Sequence, residues 1–107
     1  MSDEIIRKIA VIFVVDVVGY SRHMEANENG TVHSYNECEK VLKKLLNKYN
    51  GSVFNTAGDS VLAEFASAVN AVECGVAFQN EIKKRNQSNK TDMKLEFRIG
   101  INMGDVV

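Results

Sequence analysis

Hydrophobic residues recur along the chain with the period of strands in some segments and of helices in others. Seven apolar residues follow one another from Ile9 to Val15 and stop at Asp16. Most of them are β-branched, which indicates a central strand covered on both faces. From Leu95 to Ile101 apolar and polar residues alternate, which predicts a strand with one dry and one exposed face.

Apolar residues three and four positions apart predict two long helices. The first stripe runs from Tyr35 to Tyr49 and ends before Asn50-Gly51, a pair typical of helix C termini. The second stripe runs from Ala68 to Ile82, with Ser67 as the expected N-cap. This second helix is expected to end in the polar segment 83–90.

The remaining predicted elements are short. Residues 17–24 predict a turn and a short helix, in which Gly19 permits a tight backbone and Ser21 can cap the helix. Two short strands are predicted to form a hairpin around the glycine turn Thr56-Ala-Gly58-Asp59: Ser52–Asn55 and Ser60–Phe65.

The predicted element order, β-α-α-β-β-α-β, indicates an α+β fold of the ferredoxin-like type, with one extra short helix and the helices on one face of the sheet. Right-handed crossovers place the first and third strands side by side, antiparallel, in the middle of the sheet. We therefore expect Asp16 and Asp59 to lie near each other although they are 43 positions apart. The first strand is apolar on both faces, so a missing segment, a partner subunit or both are expected to cover the second face.

Composition narrows the classes of function. A length of 107 residues predicts a single domain over 1–107, and 13 Lys and Arg against 14 Asp and Glu give a net charge of −1. That balance excludes the broad basic face of a nucleic-acid-binding protein. No apolar run is long enough to cross a membrane, so a cytoplasmic protein is expected. Cys38 and Cys74 lie in apolar helical patterns and are expected to be buried free thiols.

Two carboxylates converging beside a glycine turn suit a site for a divalent metal and a phosphate. Mg²⁺ prefers one or two carboxylates and completes its shell with water and phosphate oxygens. Backbone amides around Gly19, Tyr20 and Ser21 point to where a polyphosphate could bind. The alternative interpretation is structural, because Asp16 could cap a strand end and Asp59 could be an ordinary turn residue.

Three segments resemble the motifs of class III adenylate and guanylate cyclases. Phe13-Val-Val-Asp16-Val-Val-Gly19-Tyr20-Ser21-Arg-His-Met24 resembles the first metal motif of that family, and Thr56-Ala-Gly58-Asp59 resembles the second. The segment from Phe97 to Val107 resembles the strand that follows the next helix. The three segments stand in the family's order and span nearly the whole chain.

The resemblance implies conversion of ATP, or of GTP, to a cyclic 3′,5′-nucleotide and pyrophosphate in intracellular signalling, at the interface of a head-to-tail homodimer. Asp16 and Asp59 would be the catalytic carboxylates and would hold two ions, Mg²⁺ or Mn²⁺, with the carbonyl of Val17 as a further ligand. The backbone of Val18, Gly19, Tyr20 and Ser21 would contact the triphosphate.

Two departures from the family pattern bear on function. Asn55 stands at the base-reading position, where adenylate cyclases usually have Lys and guanylate cyclases Glu. The second half of the family's catalytic domain, which carries the residues that orient the ribose and stabilise the transition state, resembles nothing in this chain. The chain therefore resembles the N-terminal portion of a truncated catalytic domain, which we expect to be inactive alone.

Other interpretations remain open at this stage. A non-catalytic cyclase-like module for nucleotide sensing or dimerisation is the main alternative. A diguanylate cyclase is disfavoured because its Gly-Gly-acidic-acidic-Phe hairpin is missing from the sequence. His23 and His33 are expected to be solvated helix residues, and Arg98 and Asn102 to be surface or dimer-contact residues rather than catalytic ones.

Overall fold

The computed structural model describes residues 8–88 and 93–106, which form a four-stranded antiparallel sheet and three helices. In chain order the elements are β1 (Lys8–Val17), α1 (Tyr20–Ala26), α2 (Glu28–Lys48), β2 (Ser52–Ala57), β3 (Ser60–Phe65), α3 (Ala68–Ser88) and β4 (Phe97–Val106). The element order and the α+β class confirm the ferredoxin-like fold predicted from the sequence.

The strands lie in the order β2-β3-β1-β4, so β1 is flanked by β3 on one side and by β4 on the other. The register pairs Val15 with Val61 across β1 and β3, and Asp16 with Arg98 across β1 and β4. The end of β1 therefore meets the start of β3, as the crossover rule predicts.

The core lies between one face of the sheet and the helices α2 and α3. Alternate residues of β1 are buried on this face, while Ile12 and Val14 of the opposite face are half-buried. Two aromatic pairs stabilise the core, Phe13 with Phe65 at a centroid distance of 5.3 Å and Phe78 with Phe97 at 5.1 Å. The fully buried core also includes both cysteines, which are free thiols as expected.

Several predicted boundaries were wrong. β1 continues past Val15 because β4 pairs with it as far as Val17. β2 includes Thr56 and Ala57, which pair with β3, so only Gly58 and Asp59 form the turn. Ser21 does not cap α1, because that helix begins at Tyr20 and its N-cap is Gly19, in a left-handed conformation.

The second long helix, α3, ends at Ser88, inside the predicted polar segment 83–90; residues 89 and 90 of that segment lie outside the described ranges. Polar tertiary contacts extend it. Asn86 Nδ2 donates to the Leu95 carbonyl at 2.9 Å, and Arg85 Nη1 donates to the Met93 carbonyl at 3.3 Å. Gln79 Nε2 donates to the Phe97 carbonyl at 2.9 Å. These bonds hold the segment that leads into β4 and so fix where β4 begins.

An apolar surface remains open beside β4. Its exposed residues lie on α3 and on the far half of β4: Val69, Val72, Val76, Ile101 and Met103. The buried face predicted for the last strand is confirmed at the start of β4, where Phe97 is buried. Toward the end of β4, Ile101 and Met103 on the same face are exposed. Among residues 8–88 and 93–106, no helix is long and apolar enough to cross a membrane.

Candidate functional site

The two residues that carry the predicted carboxylates lie at the corner of the sheet where β1 ends and β3 begins. Asp59 follows Gly58, whose φ of 58° is the left-handed conformation that a tight hairpin turn requires. From this turn, Asp59 Oδ2 accepts a hydrogen bond from the Val17 N–H at 2.9 Å. Because Val17 directly follows Asp16, this bond holds the Asp59 carboxylate against the backbone next to Asp16.

Asp16 is engaged from the other side of β1. Arg98 of β4 lies directly opposite it in the register, and Arg98 Nε donates to Asp16 Oδ1 at 3.1 Å. The Asp16 side chain is 30% exposed and that of Arg98 is 71% exposed. Arg98 was expected to be a surface or dimer-contact residue; its exposed position is confirmed, and its guanidinium also contacts a candidate site residue.

The backbone of Val17 also faces the Asp59 side of β1. The next residue, Val18, donates its N–H to the Glu96 carbonyl at 2.8 Å, on the β4 side. Since backbone groups of successive strand residues point to opposite sides, the N–H and carbonyl of Val17 both point away from β4, toward Asp59. The Val18 N–H is committed to the Glu96 carbonyl, so it is not available to a ligand.

The turn after β1 depends on Gly19, whose φ is 67°. A Cβ at this position would lie 2.7 Å from Arg22 Nη2, so the Arg22 guanidinium lies over the turn. The first backbone bond of α1 runs from the His23 N–H to the Gly19 carbonyl at 3.1 Å. The amides of Tyr20 and Ser21 precede that bond.

An aromatic pair supports the same turn from α2. The rings of Tyr20 and Tyr35 meet edge to face with centroids 6.4 Å apart. Burial raises the pKa of Tyr35 to about 12, and the negative charges of Glu39 and Asp59 act in the same direction. The influence of Asp59 indicates that this pair lies within electrostatic reach of the site.

Asn55 lies on β2, opposite Leu62 of β3, just after a register shift between Val53 and Asn55. Leu62 in turn pairs with Val14 of β1, two residues before Asp16. Side chains two residues apart on a strand share a face, so Asn55 and Asp16 lie on the same, helix-free face of the sheet. The Asn55 side chain is exposed there.

The donor chemistry of this corner fits a hard divalent cation. Asp16 and Asp59 provide carboxylate oxygens, and Val17 provides a carbonyl oxygen on the Asp59 side of β1. Within the described part of the chain, no group of three or more His, Cys, Asp or Glu side chains is placed to hold a metal. Two carboxylates suffice for Mg²⁺, which keeps several of its positions for water and phosphate oxygens.

Comparisons with known proteins find the same family that the three sequence motifs resemble. The chain matches the adenylate and guanylate cyclase catalytic domain family over residues 1–107. It is 41% identical, over 99% of its length, to a putative adenylate cyclase 3 of Rhizobium meliloti (strain 1021). Its fold resembles that of the adenylyl cyclase CyaB from P. aeruginosa, with a TM-score of 0.80, 28% identity and 94% of this chain covered. A bacterial light-regulated adenylyl cyclase has the same fold with a TM-score of 0.88, over 96% of this chain at 23% identity.

These relatives are longer than this chain. The chain spans 18% of the Rhizobium protein, 58% of the CyaB chain and 57% of the light-regulated cyclase chain. All three of the sequence motifs lie within the matched residues.

Proposed function

Since the chain belongs to the adenylate and guanylate cyclase catalytic domain family, we propose that it supplies the metal-binding part of a nucleotidyl cyclase site. The reaction would form a cyclic 3′,5′-nucleotide and pyrophosphate from ATP. The observation that carries this proposal is the hydrogen bond from the Val17 N–H to Asp59, which ties the Asp59 carboxylate to the backbone of the residue after Asp16.

Asp16, Asp59 and the Val17 carbonyl would hold two ions, Mg²⁺ or Mn²⁺. Bound ions would lower the pKa of the ribose 3′-hydroxyl and neutralise charge on the polyphosphate. The chain's own contribution is to orient the oxygens, because Asp59 is held by the Val17 N–H and Asp16 lies on a strand paired on both sides. Such preorganisation means that little rearrangement accompanies the reaction.

The triphosphate would lie along the turn after β1. Gly19, Tyr20 and Ser21 are the proposed contacts, through backbone amides, and the Tyr20–Tyr35 pair holds this turn against α2. Val18 was also predicted as a contact, but its N–H is bonded to Glu96, so its contribution would be limited to its carbonyl and side chain. Asn55 would contact the purine, and its neutral amide can donate to and accept from either adenine or guanine.

We propose further that this chain is the N-terminal portion of a larger catalytic domain that works as a head-to-tail homodimer. The support is the apolar surface of α3 and β4, together with the greater length of the solved relatives. Exposed apolar patches of this kind are usually covered by further chain or by a partner. The 107-residue chain alone is therefore expected to be inactive, and turnover by the purified chain would contradict this expectation.

The test is cyclic nucleotide formation by the full-length protein with Mn²⁺ and ATP. Asp16→Asn and Asp59→Asn keep the shape of the side chain and remove its charge, and each is expected to lower turnover on the order of 100-fold or more. Glu81→Gln, an exposed carboxylate of α3 on the side that faces α2, is the matched control and is expected to retain full turnover. Wild-type turnover in both aspartate variants would overturn the assignment.

The second candidate is a non-catalytic module that binds nucleotide or dimerises. It is favoured by Asn55, which stands where cyclases usually have a charged base-reading residue. Calorimetry with ATP and Mn²⁺ separates the two functions. Binding without turnover by the full-length protein would favour the module, and binding with turnover would favour the enzyme.

A further inference from the structure

We propose that Arg98 competes with a divalent cation for the Asp16 carboxylate, whose Oδ1 it holds in the metal-free protein, and so lowers the metal affinity of the site. The inference rests on the proposed function, because it takes Asp16 as a metal ligand. It adds a positioning role for Arg98, a residue that the sequence analysis left on the surface.

The sheet register brings the two side chains within reach of each other. β1 and β4 pair over ten residues, from Lys8 opposite Val106 to Val17 opposite Phe97. Asp16 and Arg98 are direct partners in this ladder, so their Cβ atoms are separated by only about 5 Å. The 3.1 Å contact between Arg98 Nε and Asp16 Oδ1 follows from that placement.

The two carboxylates of the site are held by different kinds of donor. Asp59 accepts from a neutral backbone N–H, which leaves its negative charge available to a cation. Asp16 accepts from a guanidinium, whose positive charge offsets the carboxylate charge. A divalent cation therefore meets competition at Asp16.

The contact is also weak enough to be reversed. The Arg98 side chain is 71% exposed and that of Asp16 is 30% exposed, so water screens the pair and can solvate the guanidinium once it leaves. Exposed ion pairs of this type shift an equilibrium by roughly two- to fivefold. Arg98 therefore weakens metal binding without preventing it.

The experiment measures Mn²⁺ binding to the nucleotide-free chain by the relaxation of water protons. Arg98→Gln is expected to bind Mn²⁺ about two- to fivefold more tightly than the wild type. Lys44→Gln, which removes the same charge from an exposed position on α2, is the matched control and is expected to bind as the wild type does. Arg98→Lys keeps the charge but loses the Nε–H donor. Its affinity for Mn²⁺ is expected to lie between those of the wild type and Arg98→Gln.

A second measurement needs no variant. Titration of the wild-type chain with Mg²⁺ is expected to shift the Arg98 Nε resonance in nitrogen NMR, with the same midpoint as the Val17 amide. A role of Arg98 in folding alone would not link its resonance to metal. An unmoved Arg98 resonance, or equal affinities of the wild type and Arg98→Gln, would overturn the inference.

Asp16→Asn separates failure of this inference from failure of the proposed function. If Asp16→Asn abolishes metal binding and Arg98→Gln leaves it unchanged, the metal site stands and the role of Arg98 is wrong. If Asp16→Asn binds metal as the wild type does, or if neither the wild type nor Arg98→Gln binds metal, the proposed site and this inference both fail.

Discussion

The Asp59 carboxylate accepts a hydrogen bond at 2.9 Å from the backbone N–H of Val17, across 42 positions of sequence. This bond ties the β2–β3 turn to the end of β1. Hydrogen bonds to a charged acceptor are stronger than neutral ones, so the proposed metal ligand also stabilises the turn that carries it.

Asp59→Ala is expected to lower the free energy of unfolding by about 1–2 kcal/mol, because the Val17 N–H loses its acceptor in a partly buried place. Asp59→Asn keeps a carbonyl oxygen and is expected to lose less than half as much. Urea unfolding followed by circular dichroism measures both. Equal stabilities of the two variants would show that the bond does not hold the turn.

Gly51→Ala is expected to destabilise the protein by about 1–3 kcal/mol through overpacking. A Cβ at Gly51 would lie 2.6 Å from Cζ of the buried Phe65 ring and 3.0 Å from Leu46 Cδ2. Gly58 offers a matched comparison, because it has a φ of 58° but no atom within 4 Å of a Cβ.

Gly58→Ala is therefore expected to cost only the conformational penalty, about 1 kcal/mol, and Gly58→Asn less, because Asn tolerates the left-handed region. Thermal unfolding of the three variants gives the ranking. A Gly51→Ala protein as stable as the wild type would mean that the Phe65 ring can move aside at no cost.

The stabilising contribution of Tyr35 is expected to disappear at high pH. Its pKa is raised to about 12 by burial, so the folded protein holds the phenolic proton more tightly than the unfolded chain, where the pKa is near 10. Stability from this group is complete below pH 10 and is lost as the pH rises from 10 to 12.

Tyr35→Phe lacks this titration, so the stability difference between wild type and variant is expected to fall by about 1 kcal/mol across that range, allowing for solvent screening. Urea unfolding of both proteins at a series of pH values measures this difference. Other titrating groups contribute equally to the two proteins, so their effect on stability cancels. Parallel curves for the two proteins would contradict the expectation.

The two cysteines are expected to react slowly with thiol reagents in the folded protein. Burial raises the pKa of the Cys74 thiol to about 11 and also raises that of Cys38. Because the thiolate is the reactive form, labelling at pH 8 is expected to be at least about 100-fold slower than in denaturant. Labelling of Cys38→Ala isolates Cys74, and fast labelling of that folded variant would show that Cys74 is accessible.

Much of the fold was predictable from local patterns. The expected cap at Ser67 is confirmed, since its Oγ accepts from the Asn70 N–H at 3.2 Å. The central position of β1 and its antiparallel pairing with β3 are also confirmed. These features follow from apolar periodicity, helix capping and crossover handedness, which can be predicted from the residue types and order of short segments.

The exact end of α3 and the partner of Arg98 were not predictable in this way. Residues 83–88 are polar and continue no apolar stripe, and Arg85 and Asn86 of this turn donate to carbonyls of the segment before β4. Alternation correctly placed Arg98 on the exposed face of its strand, but it carries no information on the partner across the sheet.

The sequence by itself determined the elements, their order and the two acidic positions at strand ends, because periodicity and turn chemistry act between near neighbours. Only the tertiary structure decided the register of β4 against β1, which places Arg98 opposite Asp16 across 82 positions. Register depends on the packing of the whole sheet and of the segment that α3 holds in place, and a shift by one residue would turn Arg98 to the other face.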